Sequence, residues 1–151
     1  LVQLGDGGFV DAVARLPAAG RLDTGVDESG DGGRVINIAS ISGMVANRGI
    51  GGRSYDTSKA AVIQFTRATA ADWAPHGVTV NAICPGGFMT EPNHRWAKEN
   101  PEVIAEFEKQ IPMGAFGKPE DLGPLAIYLS SDASRYMTGA ALVIDGGYTL
   151  W

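Results

Sequence analysis

A chain of 151 residues, 44% hydrophobic and 19% charged, is long enough for one globular domain with its own core and too short for two. Its formal net charge of -5 supplies no basic stripe, which argues against nucleic acid as a partner, and the single Cys84 cannot close an intrachain disulfide. No apolar run has the length of a membrane span or the pattern of a signal peptide, so a cytoplasmic protein without membrane contact is the expectation.

Residues 1 to 33 differ in character from the rest. The first residue is Leu1, not Met, which suggests a sequence that starts inside a longer reading frame. A short amphipathic piece around Phe9 to Leu16, stopped by Pro17 and Gly20, predicts one short helix, and the acidic, Gly-rich "RLDTGVDESGDGG" predicts a flexible loop. From Arg34 onward, strand and helix patterns alternate. "RVINIAS" is an apolar, β-branched run expected to form a strand covered on both faces. "SYDTSKAAVIQFTRATAADWAPHG" predicts a long helix closed by Pro75 and Gly77, and "VTVNAICPG" a second buried strand ended by Pro85 and Gly86. "EPNHRWAKENPEVIAEFEKQI" is helical, charge-laced and interrupted at Pro101, the composition of a lid. "KPEDLGPLAIYLSSD" predicts a helix with Pro119 near its first position and acids in its first turn, and "AALVIDGG" a third strand. Such alternation implies parallel pairing in a layered α/β domain spanning residues 34 to 151.

The chemistry concentrates at Tyr55 and Lys59. Four apart on a helix, they share one face about a turn apart. A free phenol exchanges protons poorly at neutral pH, and an adjacent ammonium favours the phenolate, so the pair forms a general acid or base suited to an alcohol or a carbonyl. A third group must hold the carbonyl oxygen. Ser40, at the end of the preceding strand, is the candidate, with Ser42 as the substitute, because functional groups of open α/β sheets gather at the carboxyl ends of strands. "CPGGFMT", from Cys84 to Thr90, ends the next strand, and its small residues let backbone approach a flat ligand. Each signal has a bland reading. Y-x-x-x-K arises by chance, strand-end serines cap turns, and Pro-Gly stops strands. Their order along the chain is what joins them into one candidate site.

In "GGRVINIASISG", "YDTSKAAV", "GVTVNAICPGGFMT" and "KPEDLGPLAIYLSSDASRYMTGAALVIDGG", taken in that order, the sequence resembles the short-chain dehydrogenase/reductase family from about Gly32 to Gly147. The resemblance implies a Rossmann-type doubly wound parallel sheet, with NAD or NADP as cofactor and a secondary alcohol or ketone as substrate. It casts Tyr55 as the acid/base, Lys59 as the residue holding the nicotinamide ribose, and Ser40 as the donor to the substrate oxygen. Backbone from Pro85 through Gly86 to Phe88, with Thr90, would grip the carboxamide. The wording is most similar to polyol and gluconate-type members, with 3-oxoacyl carrier-protein reductases as the rival, and a homo-oligomer is implied for the full-length form.

Two departures bear on activity. The family's opening T-G-x-x-x-G-x-G turn occurs nowhere in these residues, and the Asn that completes its proton relay has no counterpart before Asn37. A partial sheet lacking its N-terminal strands is therefore expected, with one bare strand edge and weak or no binding of the dinucleotide. The alternative function is that of a truncated, inactive remnant that binds an intact homologue.

Overall fold

The structure is a computed structural model that describes residues 2 to 4, 8 to 10, 33 to 46 and 52 to 150. Two short strands, β1 (Val2–Leu4) and β2 (Gly8–Val10), pair antiparallel, Gln3 opposite Phe9. Phe9 and Val10, where a helix was expected to begin, are therefore extended. Cross-strand pairing with residues only a few positions away overrides a weak amphipathic pattern. The remainder of that expected helix, and the Gly-rich loop after it, lie outside the described residues.

The main sheet has three strands in the order β3 (Arg34–Ile38), β4 (Thr79–Pro85), β5 (Ala141–Ile144), paired in parallel as the alternating pattern implies. The register aligns Ile38 with Ile83 and Cys84 with Val143, so the carboxyl ends of all three strands fall together. Helix α1 (Arg53–Trp73) crosses from β3 to β4. Its buried residues are Lys59, Val62, Ile63, Thr66, Thr69, Ala70 and Trp73, a spacing of three and four that lays one stripe on the sheet. Pro75 tightens the chain into a 3-10 turn at Ala74–His76, and Gly77, at φ 74°, reverses it into β4.

The packing follows the two-residue period of the strands. Val80, Ala82 and Cys84 alternate along one face of β4, where they meet Val62, Ile63, Ala70 and Trp73 of α1. Val35 and Ala39 join the same two clusters from the β3 side. Of these strands β4 is the most enclosed, buried from Thr79 to Cys84 and half-buried at Pro85. β3 is half-buried, and its last residue, Ile38, is 37% exposed, because β3 is the edge of the described sheet. This corrects the expectation of a strand covered on both faces.

Between β4 and β5 come α2 (Glu91–Glu99) and α3 (Pro101–Glu108), divided at Asn100–Pro101 as the proline predicts. Phe107 of α3 stacks between Phe116 and Tyr148 at centroid distances of 5.1 and 5.0 Å, joining the second half of this region to the end of the chain. The expected Pro119 helix begins differently. Pro119–Leu122 form a 3-10 turn, and α4 (Gly123–Ser130) starts afresh because Pro124 has no N–H to continue the ladder. Helix α4 packs against β3. No described helix is long and apolar enough to cross a membrane.

Candidate active site

Helix α1 runs antiparallel to the strands, so its first two turns stand at the carboxyl ends of β3 and β4. The buried stripe begins at Lys59, and Tyr55, one turn earlier, continues it beyond the sheet, where the ring is 43% exposed. The Lys59 side chain is 7% exposed; its Nζ donates to the Ile38 carbonyl at 3.0 Å and lies 5.6 Å from the Tyr55 ring centroid. An ammonium so buried requires partners, and the last carbonyl of β3 is one of them. That bond fixes the cation at the sheet's end while it faces the π cloud of Tyr55.

Ser40 follows β3 by two residues, is 7% exposed, and caps a 3-10 turn at Ile41–Gly43: its Oγ accepts the Ser42 N–H at 3.1 Å. The capping role and a catalytic one are compatible, since the hydroxyl proton still needs an acceptor. Ser42 is half-buried within the turn. Gly43 closes this turn onto α1 at Lys59 and Ala60, leaving no room for a side chain.

At the end of β4, Pro85 and Gly86 are half-buried. A Cβ on Gly86 would come 2.6 Å from Asp145 Cβ, so the absence of a side chain here serves the contact with the turn after β5. The Phe88 ring is buried against Gly117, leaving only Phe88 backbone to face a ligand, and its carbonyl already accepts from Asn93 Nδ2 at 2.6 Å and from the Thr90 N–H at 3.0 Å. Thr90 precedes α2 and accepts the His94 N–H at 2.8 Å through its carbonyl. His94 and His76 are both exposed.

Two residues that sequence reasoning passed over help hold the site. Asn81, on β4, donates to the Met137 carbonyl at 2.9 Å and accepts the Ala140 N–H at 3.1 Å, tying the approach to β5 against the central strand. Asn93 holds the start of α2 onto Phe88. A polar residue inside an apolar strand run was the available signal for Asn81; nothing local marked Asn93.

Cys84 lies beneath these residues. Burial pushes its thiol above the ordinary value, against the opposing pull of the Ser40 amide and of the charges of Arg67 and Lys59. It is a packing residue, held in the neutral form. Among the described residues, no cluster of His, Cys, Asp and Glu is placed to hold a metal ion.

A buried cation fixed to the sheet and an exposed phenol on the next turn form a donor set suited to a ribose diol and an exchangeable substrate proton. A capped serine at the neighbouring strand end adds a third donor. The nicotinamide half of a dinucleotide fits these residues. Comparisons with known proteins bear on the family. A family model described as enoyl-(acyl carrier protein) reductase matches residues 24–149. Galactitol 2-dehydrogenase (L-tagatose-forming) of Cereibacter sphaeroides is 44% identical over 119 residues, covering 79% of this chain and 46% of that protein. A short-chain type dehydrogenase/reductase from Mycobacterium marinum superposes with a TM-score of 0.73 at 43% identity, over 81% of this chain and 46% of that one. A 4-hydroxyisoleucine dehydrogenase solved with NADH does so with a TM-score of 0.75 at 33% identity, over 82% and 50%. The chain thus spans about half the length of the relatives it matches, and it belongs to the short-chain dehydrogenase/reductase family.

Proposed function

We propose that this chain carries the nicotinamide-facing and substrate-facing part of an NAD(P)-dependent oxidoreductase that interconverts a secondary alcohol and a ketone, with a polyol or sugar acid as substrate. The observation that carries the reading is the Lys59 ammonium, buried and bonded to the Ile38 carbonyl, beside the exposed Tyr55 at the carboxyl end of the sheet. Bound NAD or NADP would supply the hydride acceptor or donor. Lys59 would hold the ribose hydroxyls, and backbone from Pro85 to Phe88, with Thr90, would orient the carboxamide. Tyr55 would give or take the proton at the substrate oxygen, and Ser40, its turn fixed by the Ser42 amide, would hydrogen-bond that oxygen. The resemblance to galactitol 2-dehydrogenase supports a polyol substrate, and the soluble, cytoplasmic setting and homo-oligomeric form belong to the same proposal.

Tyr55→Phe tests it. Turnover of galactitol or gluconate, followed by reduced nicotinamide absorbance, should fall by roughly a hundredfold or more while dinucleotide affinity changes little, because only the proton donor is removed. Equal turnover by wild type and variant would refute the role.

A second reading rests on β3 being an edge strand of the sheet among the described residues, with Ile38 exposed. In it the chain is an inactive remnant whose partner is an intact homologue. Calorimetric titration separates the two: micromolar affinity of the isolated chain for NAD or NADP supports the enzyme, and no heat of binding supports the remnant.

A further inference from the structure

The face that β3 turns toward α1 is Val35, Asn37, Ala39: apolar, polar, apolar. Asn37 is 0% exposed, yet its Nδ2 donates to Thr66 Oγ1 at 2.9 Å, and Thr66, also 0% exposed, donates on to the Val62 carbonyl at 2.8 Å. The other half of the Asn37 amide is unsatisfied, for Oδ1 is buried without a hydrogen-bond partner among the described residues.

As a contribution to stability this arrangement is poor. A net hydrogen bond gains less than an orphaned buried carbonyl costs, so an apolar residue of similar volume would serve the core better. What the pair supplies is directional. The rest of the α1 contact is apolar: Ala39, Val35, Val80 and Ala82 meet Val62, Ile63, Ala70 and Trp73. Apolar contact is non-directional, and a buried polar pair can set register between elements that apolar packing alone holds together.

Two polar contacts between β3 and α1 fall on adjacent strand residues. Asn37 takes Thr66, and Ile38 takes Lys59, seven positions earlier on the same helical stripe. A slide or rotation that breaks the first must move the second. We infer that the Asn37–Thr66 pair is a buried register pin between β3 and α1, and that both are positioning residues that hold Lys59 at the Ile38 carbonyl and Tyr55 at the mouth of the site. The inference concerns geometry. Its consequence for turnover rests on the proposed oxidoreductase function.

The test replaces both partners, so that neither is left unpaired: Asn37→Leu with Thr66→Val, measured on the intact chain. Reductive methylation resolved by mass spectrometry reports Lys59 directly, with exposed Lys109 as the internal reference. The double variant should keep its Tm within about 3 °C of wild type, or exceed it, while Lys59 methylates roughly tenfold faster. Thr66→Ser, which keeps the hydroxyl, should restore wild-type protection. Unchanged Lys59 reactivity in the folded double variant overturns the pin. If the double variant does not fold, Thr66→Val against Thr66→Ser reads the same difference, and equal Lys59 protection in those two overturns it as well. Turnover is a separate arm. Activity that survives Tyr55→Phe removes the proposed function and leaves the pin to stand or fall on the methylation rates.

Discussion

The backbones of Gly43 and Lys59 are in direct contact: a Cβ on Gly43 would stand 2.6 Å from the Lys59 carbonyl carbon and 2.7 Å from the Ala60 nitrogen. The turn that Ser40 caps is thereby seated on the helical turn that carries Lys59. The neighbours are helix backbone, which cannot rotate aside as a side chain could. Gly43→Ala should therefore lift the turn from α1 at a cost of about 1–3 kcal/mol, the range for overpacking a well-filled contact. Urea titration of variant against wild type measures it, and an unchanged midpoint would mean that the contact is looser than the geometry indicates.

Cys84 allows a test of burial by chemistry. With the thiol held neutral and fully enclosed, native protein should react with a disulfide reagent far more slowly than a free thiol does, and with rates set by opening of the fold. Reaction in denaturant should be complete and fast. Rapid stoichiometric labelling of native protein at neutral pH would show that the end of β4 is open to solvent.

How much of this was legible beforehand depends on how local the cause is. The Tyr55–Lys59 pairing follows from helical periodicity alone, and the parallel pairing of the strands from alternation of short apolar runs with helices. The burial of Lys59 was not legible, because it depends on where α1 crosses β3 and on a backbone carbonyl twenty-one positions away. Asn37 was legible only as a residue inside the expected strand. Only the face assignment shows that it looks into α1, and only the helix register puts Thr66 opposite it. Ser40 was foreseen at a strand end, but its cap on Ser42 shows the bland and functional readings of a strand-end serine to be compatible. The misjudged starts, at Phe9 and at Pro119, share a cause: boundary signals are one or two residues deep, and a neighbouring strand or a second proline overrides them.

Phe107 tests the division of the region between β4 and β5. Neither α2 nor α3 has a fully buried residue, but the half-buried Phe107 ring bridges Phe116 and Tyr148. Phe107→Ala should cost about 1–2 kcal/mol, below the range for a fully buried ring, and release α3 from the end of the chain, while Trp96→Ala on α2, a residue 46% exposed, should change stability by about 0.5 kcal/mol or less. Hydrogen exchange resolved by peptide would show faster exchange in α3 only for the first variant. Equal effects of both substitutions would mean that α2 and α3 are held as one unit.

Asp145 links the end of the chain to pH. Burial opposes ionisation of its carboxyl, but the Thr149 hydroxyl at 2.7 Å and the Gly147 and Thr149 amides, each at 2.8 Å, outweigh it and hold the group below its ordinary value of 3.8. Because the folded protein binds this proton less readily than the unfolded chain, the carboxylate stabilises the fold fully above about pH 5. That contribution is lost as pH falls through the unfolded value and on through the lower folded one. Asp145→Asn places an amide nitrogen where one oxygen receives two donors, and should cost about 1 kcal/mol near neutrality, the scale of a lost capping group. The variant's Tm should then fall less steeply than that of wild type between pH 5 and 3. Asp145 also packs on Gly86, so loosening the turn releases the Pro85–Gly86 corner of the proposed nicotinamide site. Parallel Tm curves for wild type and variant across that range would show that the three hydrogen bonds leave the titration of this carboxyl uncoupled from folding.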